Sequence, residues 1–130
     1  MSKEIIEASL NYFESLPGDS YHISLLGGEP TLWIDTFLEV YNKYKKTSKK
    51  KIGISLNTNG LMFNEDLCNK IKGLNPRLAI SLDGPKKSHD FNRIDVFGKG
   101  TYDKLIEKIP LILTNFPLNF CQATFTPETI

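Results

Sequence analysis

At 130 residues, with 40% hydrophobic and 24% charged residues, the chain has the make-up of one ordinary globular domain with room for a core, which excludes a disordered segment. A net charge of +1 gives no electrostatic case for nucleic acid or for an acidic partner. No apolar run reaches the length of a membrane span, the opening residues do not read as a signal peptide, and two cysteines, Cys68 and Cys121, are too few for a disulfide framework; a reducing cytoplasm is the expected setting.

The first predicted element is a helix from Ser2 to Leu16. Ile6, Leu10 and Phe13 recur at helical spacing, Ser2 is placed to cap the start, and Pro17-Gly18-Asp19 ends it. A strand, Tyr21 to Leu26, then runs straight into Gly27-Gly28-Glu29-Pro30. The two glycines allow backbone angles closed to other residues, the proline fixes the exit, and Glu29 is left at the strand's carboxyl end. A second helix is expected from about Ile34 to Lys46, with Asp35 in its first turn and Phe37, Tyr41 and Tyr44 on one face. The lysine-rich run from Lys45 to Lys51 reads as a solvated connection, since it lacks the aromatic and Arg residues that nucleic-acid contacts would need.

Ile52 to Leu56 is a second strand, ending in Asn57-Thr58-Asn59-Gly60. The following helix is capped by Asn64, favoured by Glu65 and Asp66, striped by Leu67, Ile71 and Leu74, and stopped by Gly73 and Pro76. Arg77 to Leu82 is a third strand, ending in Asp83-Gly84-Pro85. Lys86 to Gly100 reads as a polar loop holding His89, Asp90, Asn92 and Arg93. Thr101 caps a fourth helix with Leu105, Ile109, Ile112 and Leu113 on its apolar face, and Pro110 inside it should kink or divide it. A last strand from Asn119 to Phe125 leads into Thr126-Pro127-Glu128, which reads as the start of another helix.

The order αβαβαβαβ, with strands largely apolar on both faces, predicts an α/β fold whose parallel sheet is covered by helices through right-handed crossovers. All strand ends of such a sheet lie on one rim. That rim would gather Gly27-Gly28-Glu29, Asn57-Thr58-Asn59, Ser81 with Asp83, and Thr124 with Thr126. These are also common turn residues, but a carboxylate and amides together make a ligand shelf, and Glu29 beside exposed backbone suits an amino group. Other chemistries have less support. Neither His22 nor His89 has zinc-site spacing, no phosphate loop is present, and Gly98-Lys99-Gly100 before a helix is a weak anion-site signal without a strand ahead of it.

Taken in order, Gly27-Gly28-Glu29-Pro30-Thr31-Leu32, Leu56-Asn57-Thr58-Asn59-Gly60, Ile80-Ser81-Leu82-Asp83-Gly84-Pro85, His89-Asp90-x-Asn92-Arg93 and Gly98-Lys99-Gly100-Thr101-Tyr102 resemble the radical S-adenosylmethionine (radical SAM) enzymes. The similarity is greatest to the branch with auxiliary-cluster (SPASM-type) domains, which includes the anaerobic sulfatase-maturating enzymes. The resemblance implies part of a TIM-like (β/α)6 barrel binding S-adenosylmethionine at its strand carboxyl ends. It assigns Gly27, Gly28 and Glu29, with Pro30, to the methionine amino group, and Asn57, Thr58 and Asn59 to the edge of the second strand seen here. Ser81, Asp83 and Arg93 would face the ribose or the methionine carboxylate, and Thr124 the adenosine side. Arg93 could instead pair only with Asp90 or Asp95 in an exposed loop.

One departure stands against these agreements. The family holds a 4Fe–4S cluster on a C-x3-C-x2-C loop, and it is this cluster that delivers the electron cleaving the sulfonium to a deoxyadenosyl radical. By the resemblance this chain starts just past that loop; Cys68 falls in a helix and Cys121 in a strand, and both read as small buried hydrophobes. The expectation is an incomplete barrel, residues 1–130 forming a partial core without the cluster loop and inactive alone. The cluster belongs to a complete parent enzyme, whose substrate would be a peptide or protein side chain. The alternative is a cluster-free module binding a nucleotide-like ligand or a partner. Open sheet edges predict self-association.

Overall fold

The computed structural model describes residues 1–116 and 120–129. Its elements are α1 (Lys3–Ser15), β1 (Ser20–Leu25), a 3-10 turn (Pro30–Trp33), α2 (Ile34–Thr47), β2 (Lys51–Thr58), α3 (Glu65–Lys72), β3 (Arg77–Ser81), α4 (Lys86–Asn92), α5 (Tyr102–Asn115) and β4 (Phe120–Gln122). The four strands form one sheet in the order β1-β2-β3-β4, every pair parallel. Each new strand is added on the same side of the last, so the helical crossovers of one hand all fall on one face. That is the winding of a (β/α) barrel rather than of a doubly wound sheet, whose order reverses.

The sheet is therefore two-sided in a way that the strand sequences were not expected to be. Ile54, Leu56, Leu78 and Ile80 are at most 2% exposed and pack with Ile6, Leu10, Phe37, Ile71, Leu105 and Ile112 of the helices. Each such side chain contributes about 1.5–3 kcal/mol by leaving water. The alternate residues, His22 and Ser24 of β1, Ser55 and Asn57 of β2, Ser81 of β3 and Gln122 of β4, stand on the other face and are exposed or half-buried. The expectation of strands apolar on both faces is corrected: helices cover one side, and the other is polar. Register carries this across the sheet, with Ser24 opposite Ser55, Asn57 opposite Ala79 and Ser81 opposite Gln122.

Local signals account for most boundaries. Asn64 caps α3 by accepting from the Leu67 amide at 2.8 Å. Ser2 occupies the cap position of α1 but makes no capping bond through its side chain. The expected polar loop contains a two-turn helix, α4, followed by a hairpin-like bridge between Ile94 and Gly100. Seven residues without an apolar stripe left no periodic signal for it. Thr101 sits at the α5 cap, yet Asp90 does the capping, accepting from the Tyr102 amide at 2.8 Å. Gly100 is required there, because a Cβ would lie 2.1 Å from the Asp90 carboxyl carbon. With a carboxylate already at the α5 terminus, the anion reading of Gly98-Lys99-Gly100 fails. α5 runs through Pro110 as one helix. β4 is shorter than expected, with Asn119 outside the described residues, and 127–129 form a turn rather than a helix start.

Candidate functional site

The carboxyl ends of β1, β2 and β3 and the exit of β4 surround an open cleft of about 360 Å³. Its walls are Leu26, Gly27, Gly28, Glu29, Asn57, Thr58, Asn59, Ser81, Arg93, Gln122 and Thr124. Every residue assigned to the rim from sequence lines this space except Pro30, Asp83 and Thr126. Pro30 is buried at the start of the 3-10 turn, and Asp83 lies behind Arg93 at 1% exposure.

Gly27 and Gly28 have φ of +83° and +52°, in the left-handed region that a side chain resists. No atom comes within 4 Å of where their Cβ atoms would be, so backbone geometry rather than crowding selects glycine, and the main chain stays open to a ligand. The reversal they make carries Glu29 back over the rim. Its Oε1 accepts from the Thr31 amide (3.2 Å), the Thr31 hydroxyl (2.7 Å) and the Thr58 hydroxyl (2.7 Å), and its Oε2 accepts from the Asn59 amide (2.8 Å). All four donors are neutral. Glu29 thus pins the exit of β1 to that of β2 with no cation among these donors and with free acceptor capacity on Oε2.

The opposite wall is organised by Asp83. Its carboxylate takes Arg93 Nε at 2.8 Å and Nη2 at 2.9 Å, and Oδ1 also accepts from the Thr124 amide at 2.9 Å. This corrects the exposed-loop alternative for Arg93: Asp90 pairs with Lys86 and Asp95 with Lys104. It also limits what Arg93 can do, because the edge of its fork formed by Nε and Nη2 is engaged and the Nη1 side is left. Burial pushes the Asp83 carboxyl up, but the Arg93 guanidinium and the Thr124 amide outweigh it and hold its pKa below the usual carboxylate range.

His89, 1% exposed, completes the wall. Its Nδ1 accepts from the Asp83 amide at 3.3 Å, so the neutral ring carries its proton on Nε2, which donates to Thr101 Oγ1 at 3.1 Å; that hydroxyl donates to the Arg93 carbonyl at 3.2 Å. Burial first, and the Arg93 charge second, push the His89 pKa below 6.5, while Asp83 and Asp90 act the other way. The unfolded chain then binds a proton that the folded chain refuses. The stability that neutral His89 contributes is present above pH ~6.5 and is lost as pH falls toward its folded value. Thermal melts from pH 7.5 to 5.5 should show the midpoint dropping with acidity, and His89→Gln should flatten that slope.

Sequence reasoning missed Gln122. It closes the cleft by accepting from Asn57 Nδ2 at 2.7 Å across the intervening β3. The available signal was its alternation with Cys121 in the strand. Asn92 also reaches this side, donating to the Thr124 carbonyl at 3.2 Å.

The iron–sulfur cluster implied by the resemblance does not fit the residues present. Cys68 is packed in the core on α3, as expected, while Cys121 on β4 is exposed, contrary to expectation, because β4 is an edge strand. Among the described residues no group of three or more His, Cys, Asp or Glu side chains could hold a metal ion.

Comparison with known proteins places this geometry. A family model for the radical SAM superfamily matches residues 1–122. A cysteine-type anaerobic sulfatase-maturating enzyme of Clostridium novyi (strain NT) is 40% identical over 89 residues, covering 66% of this chain and 24% of that protein. A second, from Clostridium perfringens (strain ATCC 13124), is 28% identical over 126 residues, covering 92% and 33%. The solved structure of histidine-tagged anSMEcpe with bound AdoMet superposes with a TM-score of 0.85 at 26% identity, covering 99% of this chain and 36% of that one. Native anSMEcpe with bound AdoMet and the Kp18Cys peptide gives 0.82 at 25%, covering 95% and 35%. This chain spans about a quarter to a third of the length of the relatives it matches, and its four parallel strands are part of their barrel. The chain belongs to the radical SAM superfamily.

Proposed function

We propose that this chain carries the S-adenosylmethionine-binding strand ends of a radical SAM enzyme that modifies a peptide or protein side chain, in the manner of sulfatase maturation. The observation that carries the reading is Glu29, a carboxylate fixed by four neutral donors beside the open backbone of Gly27 and Gly28. That arrangement suits a primary ammonium group. Across the cleft, the Nη1 edge of Arg93 suits the carboxylate of the same amino-acid moiety, with Ser81 beside it. Asn57, Gln122 and Thr124 offer amide and hydroxyl groups for a nucleoside.

Reductive cleavage of the sulfonium requires an iron–sulfur cluster, for which these 130 residues hold no thiolate set. The isolated chain is therefore expected to bind without producing deoxyadenosine, even after iron and sulfide are supplied. The placement of the cysteines equally favours the second reading, a cluster-free ligand-binding or partner-interaction module. The two free cysteines suit a reducing, cytoplasmic setting. A net charge of +1 favours neither nucleic acid nor a membrane surface as a partner, and no helix among the described residues is long and apolar enough to cross a membrane.

Titration of the chain with S-adenosylmethionine, read on the amide resonances of Gly27, Gly28 and Asn59, tests the site. Shifts confined to the rim support it, and an unchanged spectrum at millimolar ligand overturns it. We also infer self-association through β1, an edge of six residues. Sedimentation should show a concentration-dependent dimer, and a strict monomer across a hundredfold range of concentration would refute this.

A further inference from the structure

We propose that the cleft selects its ligand by charge, because Asp83 cancels the only cation among the described residues of its walls and leaves Glu29 as the uncompensated charge. The inference rests on the functional reading above and adds to it a specificity that the shape of the rim does not supply. The charged groups of the walls are Glu29 and Arg93, with no lysine among the described lining residues. Arg93 is held bidentately at 2.8 and 2.9 Å by a carboxylate that is itself 1% exposed, so the pair is neutral as seen from the cleft. Glu29 has no such partner among the described residues, since its donors are two backbone amides and two hydroxyls. Glu29, Arg93 and Asp83 together carry one net negative charge. A ligand with an ammonium, a carboxylate and a further positive centre meets that field favourably, and the same skeleton without the further positive centre gains nothing from it.

In this role Asp83 is a positioning residue that does not touch the ligand. It holds Arg93 by Nε and Nη2, ties the Thr124 amide to the same carboxylate, and is itself registered by His89 through its own amide.

The test compares two probes of nearly the same shape, S-adenosylmethionine (net +1) and its thioether counterpart S-adenosylhomocysteine (net 0). Their dissociation constants are measured by titrating the rim amides of the whole chain. The wild type should prefer the sulfonium on the order of tenfold, the Coulomb effect of one charge at ~7 Å in a dielectric of ~40. The preference should shrink as salt rises from ~20 to ~300 mM. Asp83→Asn and Glu29→Gln change different atoms but each removes one negative charge, so both should bring the ratio toward one, an outcome that a purely structural role for Asp83 would not give. Should either variant unfold, the other variant and the salt dependence of the wild type decide. Equal affinity of the wild type for both probes, or a preference indifferent to salt and to both substitutions, overturns charge selection while leaving the binding site standing. No response to either probe overturns the binding site and this inference together.

Discussion

Arg93→Ala should cost the fold about 3 kcal/mol, the lower end of what breaking a buried ion pair costs, since the Arg93 side chain is 27% exposed and reaches solvent. The guanidinium supplies two of the three hydrogen bonds that Asp83 accepts, and without it a carboxylate at 1% exposure keeps the Thr124 amide alone. An uncompensated buried charge either draws in water or takes up a proton, and both loosen the junction of β3, α4 and β4. In a domain of this size the loss corresponds to a fall in melting temperature of roughly 10 °C. Urea denaturation checks it. The double variant Asp83→Asn with Arg93→Gln removes both charges and should recover a large part of the loss. A drop under ~1 kcal/mol for Arg93→Ala would show that the pair is dispensable to the fold, which surface ion pairs often are and buried ones are not.

Glu29→Ala should do more damage to binding than to stability. Four donors lose their acceptor at once, among them the Thr58 hydroxyl at 2% exposure, which still accepts from the Gly60 amide but has no partner left for its proton. The stability cost is about 2 kcal/mol, because the Asn59 amide at the half-exposed rim can turn to water. Binding of S-adenosylmethionine should fall beyond detection, since the variant removes the carboxylate proposed to take the ammonium group and unfastens the β1 exit from the β2 exit together. Calorimetry on the folded variant separates these effects. A folded Glu29→Ala chain that binds as the wild type does would move the site away from this rim. Glu29→Gln keeps most of the fastening and should lose less.

The same residues show how much the amino-acid sequence determines by itself. The alternation of apolar segments with Gly, Asn, Asp and Pro punctuation fixes four strands and the helices between them, because period and turn chemistry are local properties. It also places the rim residues in one region, since parallel strands put all their carboxyl ends on one side. What is not local could not be read. That the helices all lie on one face follows from the strand order, and that order decides that Ser24, Ser55, Asn57 and Gln122 line an open polar surface. α4 is too short to carry a periodic signal and forms because Pro85 starts it and Asp90 and His89 find partners twelve residues on. Asp83 and Arg93 both stand out in the sequence, but only the folded chain shows that they spend their charges on each other. Ten residues separate them, and the α4 turn closes that distance. Cys121 reads as buried from its apolar surroundings and is exposed because β4 has a neighbour on one side only. Sequence pattern specifies which elements form and which ends they share; the pairing of charges across those ends, and the burial of each face, depend on contacts between distant segments that only tertiary packing brings about.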